Sequence, residues 1–136
     1  MEANEYIGVD VGKARTGLAR GSRLARLAET LKTVPTEQAI AEIEKLANKN
    51  LAGVVVGLPR NLKGEDTEQT KWVRDWVDSA KQKINATFYW QDEALTSKLA
   101  EAKILAGGTV NNVDSLAAQI ILQDFFDSPE SLRVVC

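Results

Sequence analysis

The sequence predicts an α/β fold whose central sheet is mixed, with five strands flanked by helices. Short β-rich runs joined by tight turns occupy the first third of the chain, and helical and strand patterns alternate after residue 35. The predicted order is βββ-α-β-α-β-α-α. Closely spaced strands favour antiparallel pairing, and strand–helix–strand connections favour parallel pairing. We therefore expect an antiparallel meander that continues into two parallel strands.

The first three strands are predicted from apolar runs separated by turn residues. Residues 5–11 form the first run, and it ends at the turn marked by Gly12. Residues 16–20 form the second, and a turn at 21–22 leads to a third within 24–34. These strands make the predicted antiparallel part of the sheet.

The rest of the chain alternates between helical and strand patterns. Thr36 is a plausible N-cap for a helix with an apolar face. The continuous apolar run at 54–59 suits a strand buried on both faces. Trp72 and Trp76 lie on the apolar stripe of the next helix, where core packing is the expected role. The remaining predicted elements are a helix over 66–83, a strand over 86–91, a helix over 96–105 and a last helix from about Asn112.

Length and composition predict one domain over residues 1–136, with its core at about 5–127 and a loosely held tail at 128–136. The 44% hydrophobic and 26% charged fractions are typical of globular proteins. No apolar run is long enough for a membrane span, and no secretory leader pattern is visible. The lone cysteine, Cys136, cannot form an internal disulfide, so the cytoplasm is the expected compartment.

The chain contains no histidine, which excludes histidine-based catalytic triads and histidine metal ligands. Acid–base chemistry would then depend on carboxylates, lysine, tyrosine or metal-bound water. The formal net charge of −2 gives no global sign of nucleic-acid binding, although residues 13–32 carry six basic residues against one acid. That stretch is either a solvated basic edge or a track for a phosphate backbone.

Carboxylates occur where the predicted strands and helices place them near one edge of the sheet. Asp10 is the most informative, because an acid within an apolar strand requires a cation or hydrogen bonds, which Lys13 or Arg15 could supply. Glu93 follows a strand and Asp114 begins a helix, although solvation or a helix dipole explains each of these two alone. If the three acids converge, oxygen ligands without histidine or thiolate favour Mg²⁺ or Mn²⁺.

Four segments, in this order and spacing, resemble the YqgF family, the Holliday-junction-resolvase-like or pre-16S ribosomal RNA nucleases of the RNase H-like superfamily. The resemblance covers about residues 6–127. The segments are Gly8-Val9-Asp10-Val11-Gly12 with Arg15-Thr16-Gly17-Leu18-Ala19, Val55 to Gly64, Asp92-Glu93-Ala94-Leu95-Thr96-Ser97, and Val113-Asp114-Ser115-Leu116-Ala117-Ala118 with Ile121-Leu122-Gln123.

The resemblance implies an RNase H-like fold with three antiparallel strands followed by two parallel ones. It implies that Asp10, Glu93 and Asp114 are catalytic residues that hold one or two Mg²⁺ or Mn²⁺ ions and hydrolyse phosphodiesters. The implied substrate is structured RNA, such as pre-16S ribosomal RNA in precursor particles, or branched DNA. The residues expected to bind nucleic acid are Lys13, Arg15, Asn61 and Lys63.

Two departures from the family pattern leave alternatives open. Ala94 stands where the family usually has arginine, and residues 107–112 lack the usual lysines before Asp114. A catalytically weak nucleic-acid or ribosome-associated binding module is therefore the second hypothesis. A nucleotide phosphotransferase is a third, because Asp10 to Gly17 resembles the first phosphate motif of sugar kinases and actin, which use two such domains. A trimming nuclease could act as a monomer, whereas a resolvase would need a homodimer.

Overall fold

The computed structural model describes residues 4–47, 51–59, 63–92, 110–130 and 133–136, with only the backbone described for 110–113. Strands and helices are numbered below in chain order. The strands are β1 (Glu5–Val11), β2 (Arg15–Ser22), β3 (Ala28–Pro35), β4 (Leu51–Leu58), β5 (Phe88–Asp92) and β6 (Val134–Val135). The helices are α1 (Thr36–Ala47), α2 (Glu68–Lys83) and α3 (Val110–Asp127).

One mixed sheet has the strand order β3-β2-β1-β4-β5-β6. The pairs β1–β2 and β2–β3 are antiparallel, and β1–β4 and β4–β5 are parallel. Val9 lies between Leu18 of β2 and Val56 of β4. The predicted α/β class is confirmed, as is the order of three antiparallel strands continued by two parallel ones.

The described part of the chain contributes six strands to the sheet, so the prediction of five is incomplete. β6 pairs antiparallel with β5, and the Cys136 amide donates to the Phe88 carbonyl at 2.9 Å. The prediction of a loosely held tail is therefore wrong at its end. A strand of two residues is too short to show a pattern in the sequence, but it pairs backbone groups that would otherwise be exposed at the edge of β5.

Several element boundaries differ from the prediction. The third strand begins at Ala28, because residues 24–27 form the connection from β2, in which Arg26 has a left-handed φ of 54°. α3 begins at Val110, two residues earlier than expected. The helix predicted at 96–105 lies outside the described residues. Among the described residues, no helix is both long and apolar enough to cross a membrane.

Each face of the sheet carries its own apolar core. α1 and α2 cover one face, where Trp76 is buried and Trp72 packs at the margin, so their predicted core role is confirmed. α3 covers the other face and packs on Tyr6 and Ala19 of the sheet. The α3 residues in this second core are Ala118, Ile121, Leu122, Phe125 and Phe126.

Candidate active site

Asp10 is the next-to-last residue of β1 and is half-buried. Side chains alternate between the faces of a strand. Val9 and Val11 belong to the core under α1 and α2, whereas Tyr6 belongs to the core under α3. Alternation therefore places Asp10 on the α3 face, in line with Tyr6 and Gly8.

α3 crosses this face in the direction opposite to β1. Near the start of β1, the Tyr6 ring centroid lies 5.3 Å from that of Phe125. Further along, a Cβ on Gly8 would lie 2.7 Å from Leu122 Cβ and 2.8 Å from the Ala118 carbonyl oxygen. The helix backbone thus passes directly over Gly8. Any larger side chain at position 8 would collide with the helix.

The same progression brings Asp114, the first acid of the helix, towards Asp10. Two residues along a strand span about 6.6 Å, and one helical turn rises about 5.4 Å. Asp10 lies two residues beyond Gly8, and Asp114 lies one turn before Ala118. The two repeats nearly match, so the stacking of α3 on β1 places Asp114 beside Asp10.

Gly17 gives an independent measure of this proximity. It is the cross-strand partner of Asp10 in the β1–β2 pair. A Cβ on Gly17 would lie 2.0 Å from the carbonyl oxygen of Asp114 and 2.8 Å from the amide nitrogen of Ser115. The α3 backbone at Asp114 therefore lies against the residue paired with Asp10, and only glycine at position 17 permits this approach.

Asp114 forms an ion pair with Arg15, the first residue of β2. Arg15 Nε donates to Asp114 Oδ2 at 3.4 Å, and the two side chains are 51% and 23% exposed. The sequence left open a partnership of Arg15 with Asp10, whereas the structure places its guanidinium on Asp114. Because α3 begins at Val110, Asp114 lies beyond the first helical turn, so the explanation of Asp114 by a helix dipole loses its basis.

The turn between β1 and β2 is held by the first residue of α1. The Thr36 hydroxyl donates to the Gly12 carbonyl at 2.5 Å and lies 2.8 Å from the hydroxyl of Thr16. The Thr36 amide donates to the carbonyl of Ala14 at 3.1 Å. These bonds fix the backbone between Asp10 and Arg15 relative to α1, so both site residues stand on an immobilised turn.

Of the other predicted site residues, two lysines are described and are exposed, and the rest lie outside the described residues. Lys13 is exposed in the β1–β2 turn, and Lys63 is exposed in the segment between β4 and α2. Glu93 and Asn61 lie outside the described residues, as does Ala94. The described part of β5 ends at Asp92, which pairs with Leu58 of β4.

The donor set in the described part of the site consists of two carboxylates, Asp10 and Asp114. Within the described ranges no cluster of three or more metal-ligating side chains occurs. Glu93, the third predicted ligand, lies outside those ranges. Carboxylate oxygens are the donors that Mg²⁺ and Mn²⁺ prefer. Neighbouring carboxylates repel one another, and a cation near them offsets this repulsion, as Arg15 does for Asp114. The residues present therefore fit a hard divalent cation.

Sequence reasoning did not find the small residues that bring α3 to this position. Gly17, Ala19 and Gly21 alternate along β2, and each lies against α3 or the core beneath it. Their signal is readable in the sequence as three small residues that alternate on one face of a strand. That pattern predicts a helix packed unusually close to the sheet.

Comparison with known proteins identifies the family. The family model RuvX, described as Holliday junction resolvase, matches residues 4–128. The chain belongs to the RuvX family. RuvX and YqgF denote the same family, so the resemblance stated from the sequence is confirmed. Membership in the RuvX family also confirms the prediction of an enzyme that acts on the phosphodiester bonds of nucleic acid.

Relatives in the RuvX family match over nearly the whole chain. A protein of Chloroflexus aggregans is 36% identical over 137 residues, which cover 94% of this chain and 96% of the relative. A protein of Gloeothece citriformis is 34% identical over 138 residues, which cover 95% and 91%. Both are named as pre-16S rRNA nucleases.

A solved structure supports the fold. The Thermus thermophilus RuvC in complex with a Holliday junction substrate matches with a TM-score of 0.54 at 14% sequence identity. The match covers 98% of this chain and 99% of the RuvC chain. At this identity the likeness extends to the fold alone, and it agrees with the α/β architecture described above.

Proposed function

We propose that the protein is a divalent-metal-dependent nuclease that matures pre-16S ribosomal RNA. The observation that carries the proposal is the contact of the Asp114 backbone with Gly17, the cross-strand partner of Asp10. It joins two acids that are 104 residues apart in the sequence. The names of the two relatives supply the RNA substrate.

Asp10, Asp114 and Glu93 are the proposed ligands for one or two Mg²⁺ or Mn²⁺ ions. When bound, such ions supply an activated water and offset the negative charge that develops on the phosphate. Asp10 and Asp114 contribute fixed carboxylates on a strand and a helix, which are rigid supports. Glu93 follows Asp92 in the sequence, and Asp92 ends the described part of β5 on the carboxyl side of the parallel strands, where ligands of such sheets bind.

Lys13, Arg15, Lys63 and Asn61 are the proposed contacts to the phosphate backbone. Lys13 and Arg15 are exposed and flank the β1–β2 turn beside the two carboxylates. Exposed cations beside the acidic pair attract a polyanion towards the metal ligands. Four-way DNA junctions are the alternative substrate, because the matching family model is described as Holliday junction resolvase.

Cleavage assays with matched variants test the proposal. Asp10→Asn and Asp114→Asn remove one ligand charge each, and we expect losses of at least about a hundredfold, the scale for losing one stabiliser of transition-state charge. Asp75→Asn on the exposed face of α2 is the control, since it removes the same charge away from the site. The substrates are pre-16S rRNA and a four-way junction, each with Mg²⁺, Mn²⁺ or EDTA.

The outcomes separate the hypotheses. Metal-dependent cleavage of the RNA that both site variants abolish supports the proposal. Cleavage that persists in EDTA, or in Asp10→Asn, would overturn it. Salt-sensitive RNA binding without turnover in any metal would instead favour the binding module suggested by Ala94 and the missing lysines.

A further inference from the structure

Arg15 pairs with a carboxylate that is a proposed metal ligand, and Arg15 is itself a proposed contact to the substrate phosphate. It cannot serve both roles while it is paired with Asp114. Its guanidinium is paired with Asp114, a carboxylate proposed as a metal ligand, yet half of its side chain is exposed. A cation on a ligand carboxylate opposes the binding of a second cation there. While Arg15 is paired with Asp114, its guanidinium is not available to bind a substrate phosphate.

We infer that Arg15 exchanges between Asp114 and the substrate phosphate, so that metal binding releases it for the nucleic acid. This inference rests on the proposed function. The pair joins Asp114 to the first residue of β2, beside the turn that follows Asp10. At 3.4 Å and with Arg15 half-exposed, the bond is of the weak surface type, so a cation that binds Asp114 has little ion-pair energy to overcome.

The geometry favours exchange over a purely structural pair. α3 is already held against the sheet by the backbone contact at Gly17 and the packing at Gly8. Arg15 is therefore not required to keep Asp114 in position. A guanidinium released from Asp114 keeps its planar set of donors, which suits two phosphate oxygens.

Magnesium binding measured by calorimetry provides the first test, with Arg15→Gln as the variant. We expect the variant to bind Mg²⁺ about twofold to fivefold more tightly than the wild type, because a competing weak ion pair is gone. We also expect it to cleave RNA at least about tenfold less efficiently, because a charged hydrogen bond to phosphate is lost. Opposite effects on metal affinity and cleavage are the signature of exchange.

Lys13→Gln is the matched control for metal affinity. Lys13 lies in the same turn, and makes no ion pair with any residue that the structure describes. Its removal changes the local charge equally but leaves the Asp114 pair intact. If both variants tighten Mg²⁺ binding by the same factor, the effect is general charge repulsion and the exchange is overturned.

The Nε–H resonance of Arg15 gives a readout that is independent of activity. The peak is assigned by its absence in Arg15→Gln, and its position in Asp114→Ala without metal, where no side-chain acceptor remains at 114, defines the released arginine. Saturating Mg²⁺ should move the wild-type peak to that position. A peak that stays in place, or an Arg15→Gln protein that is less stable and binds Mg²⁺ no more tightly, overturns the inference. Dependence of cleavage on Asp10 tests the proposed function separately.

Discussion

The two ends of α3 are attached to the sheet by different means. Towards its carboxyl end, side chains of the helix bond to the first residue of β3: Gln123 accepts from the Ala28 amide at 2.9 Å, and Gln119 donates to the Ala28 carbonyl at 3.0 Å. Arg26 donates to the Phe126 carbonyl, which complements the negative end of the helix dipole. At the amino end, the attachments include the backbone contact at Gly17 and one exposed ion pair.

This difference suits the site. The backbone contact at the amino end does not use the Asp114 carboxylate, which forms an exposed ion pair, whereas an end attached through side-chain hydrogen bonds commits those groups to structure. The aromatic contacts of Tyr6 with Phe125 and Phe126 add to the carboxyl end. We infer that the carboxyl end of α3 carries stability and the amino end carries chemistry.

Replacing Gly17 tests the amino end and should give the largest effect. In Gly17→Ala the new Cβ would lie 2.0 Å from the Asp114 carbonyl oxygen, so the helix must move. A displacement of about 1 Å at a reactive site can lower the rate about a hundredfold, and we expect RNA cleavage to fall on that scale.

Gly8→Ala is the control for overpacking, because its Cβ would also collide with α3, but at Ala118 and Leu122. Both variants should lose about 1–3 kcal/mol of unfolding free energy, measured by urea denaturation. The rate of RNA cleavage should fall less in Gly8→Ala than in Gly17→Ala. Equal losses in the two variants would mean that Gly17 has no special relation to the site.

Replacing Gln123 tests the carboxyl end. Gln123→Ala removes a hydrogen bond from the Ala28 amide and one to the Arg26 carbonyl. We expect a loss of about 1–3 kcal/mol in unfolding free energy and a lower Tm, with an unchanged kcat at 25 °C. Gln82→Ala, on the exposed surface of α2, is the control. A fall in kcat without a fall in Tm would reverse the assignment of roles to the two ends.

Thr36→Val tests the turn that supports the site from the other face. The variant loses the hydroxyl bond to the Gly12 carbonyl and the contact with Thr16. A net loss of about 1 kcal/mol is expected from one such bond, together with a modest decrease in cleavage. The exposed Thr30→Val in β3 serves for comparison. Wild-type stability and cleavage in Thr36→Val would show that the turn does not depend on α1.

The smallest expected effect is a pH dependence of the Tm that comes from the ion pair of Lys32 and Glu42, which is remote from α3. The hydrogen bond from Lys32 holds the pKa of the Glu42 carboxyl below its usual value, against a smaller opposing effect of burial. Because the folded pKa is the lower one, Glu42 stabilises the fold above its unfolded pKa, and this contribution is lost as the pH falls through the folded pKa. The Tm of the wild type should exceed that of Glu42→Gln at neutral pH, and the gap should close below about pH 4. A gap that is constant with pH would contradict this sign.

The parallel and antiparallel parts of the sheet could be predicted because local patterns determine them. The apolar run at β4 and the tight turn after β1 are visible without tertiary information. β6 could not be predicted, because its two residues derive their strand conformation from the edge of β5. α3 begins at Val110, two residues before the predicted start, because the residues near a helix end do not by themselves determine which one is first.

The site could be predicted in part. Asp10 was identifiable because an acid in an apolar strand requires a partner. Its relation to Asp114 could not be read from local pattern, because the contact depends on how closely α3 approaches the sheet at Gly17. The pairing of Arg15 with Asp114 also follows from that approach. The family resemblance supplied the trio that includes Glu93, and that assignment remains a prediction.

A double-mutant cycle on Mn²⁺ affinity tests the central claim, that Asp10 and Asp114 hold one cation together. Calorimetry would compare the wild type with Asp10→Asn, Asp114→Asn and the double variant, and Asp75→Asn would again be the control. Residues that share a ligand are not additive, so each single variant should lose nearly as much affinity as the double variant. Losses that add independently, or single variants that bind Mn²⁺ as the wild type does, would contradict the claim.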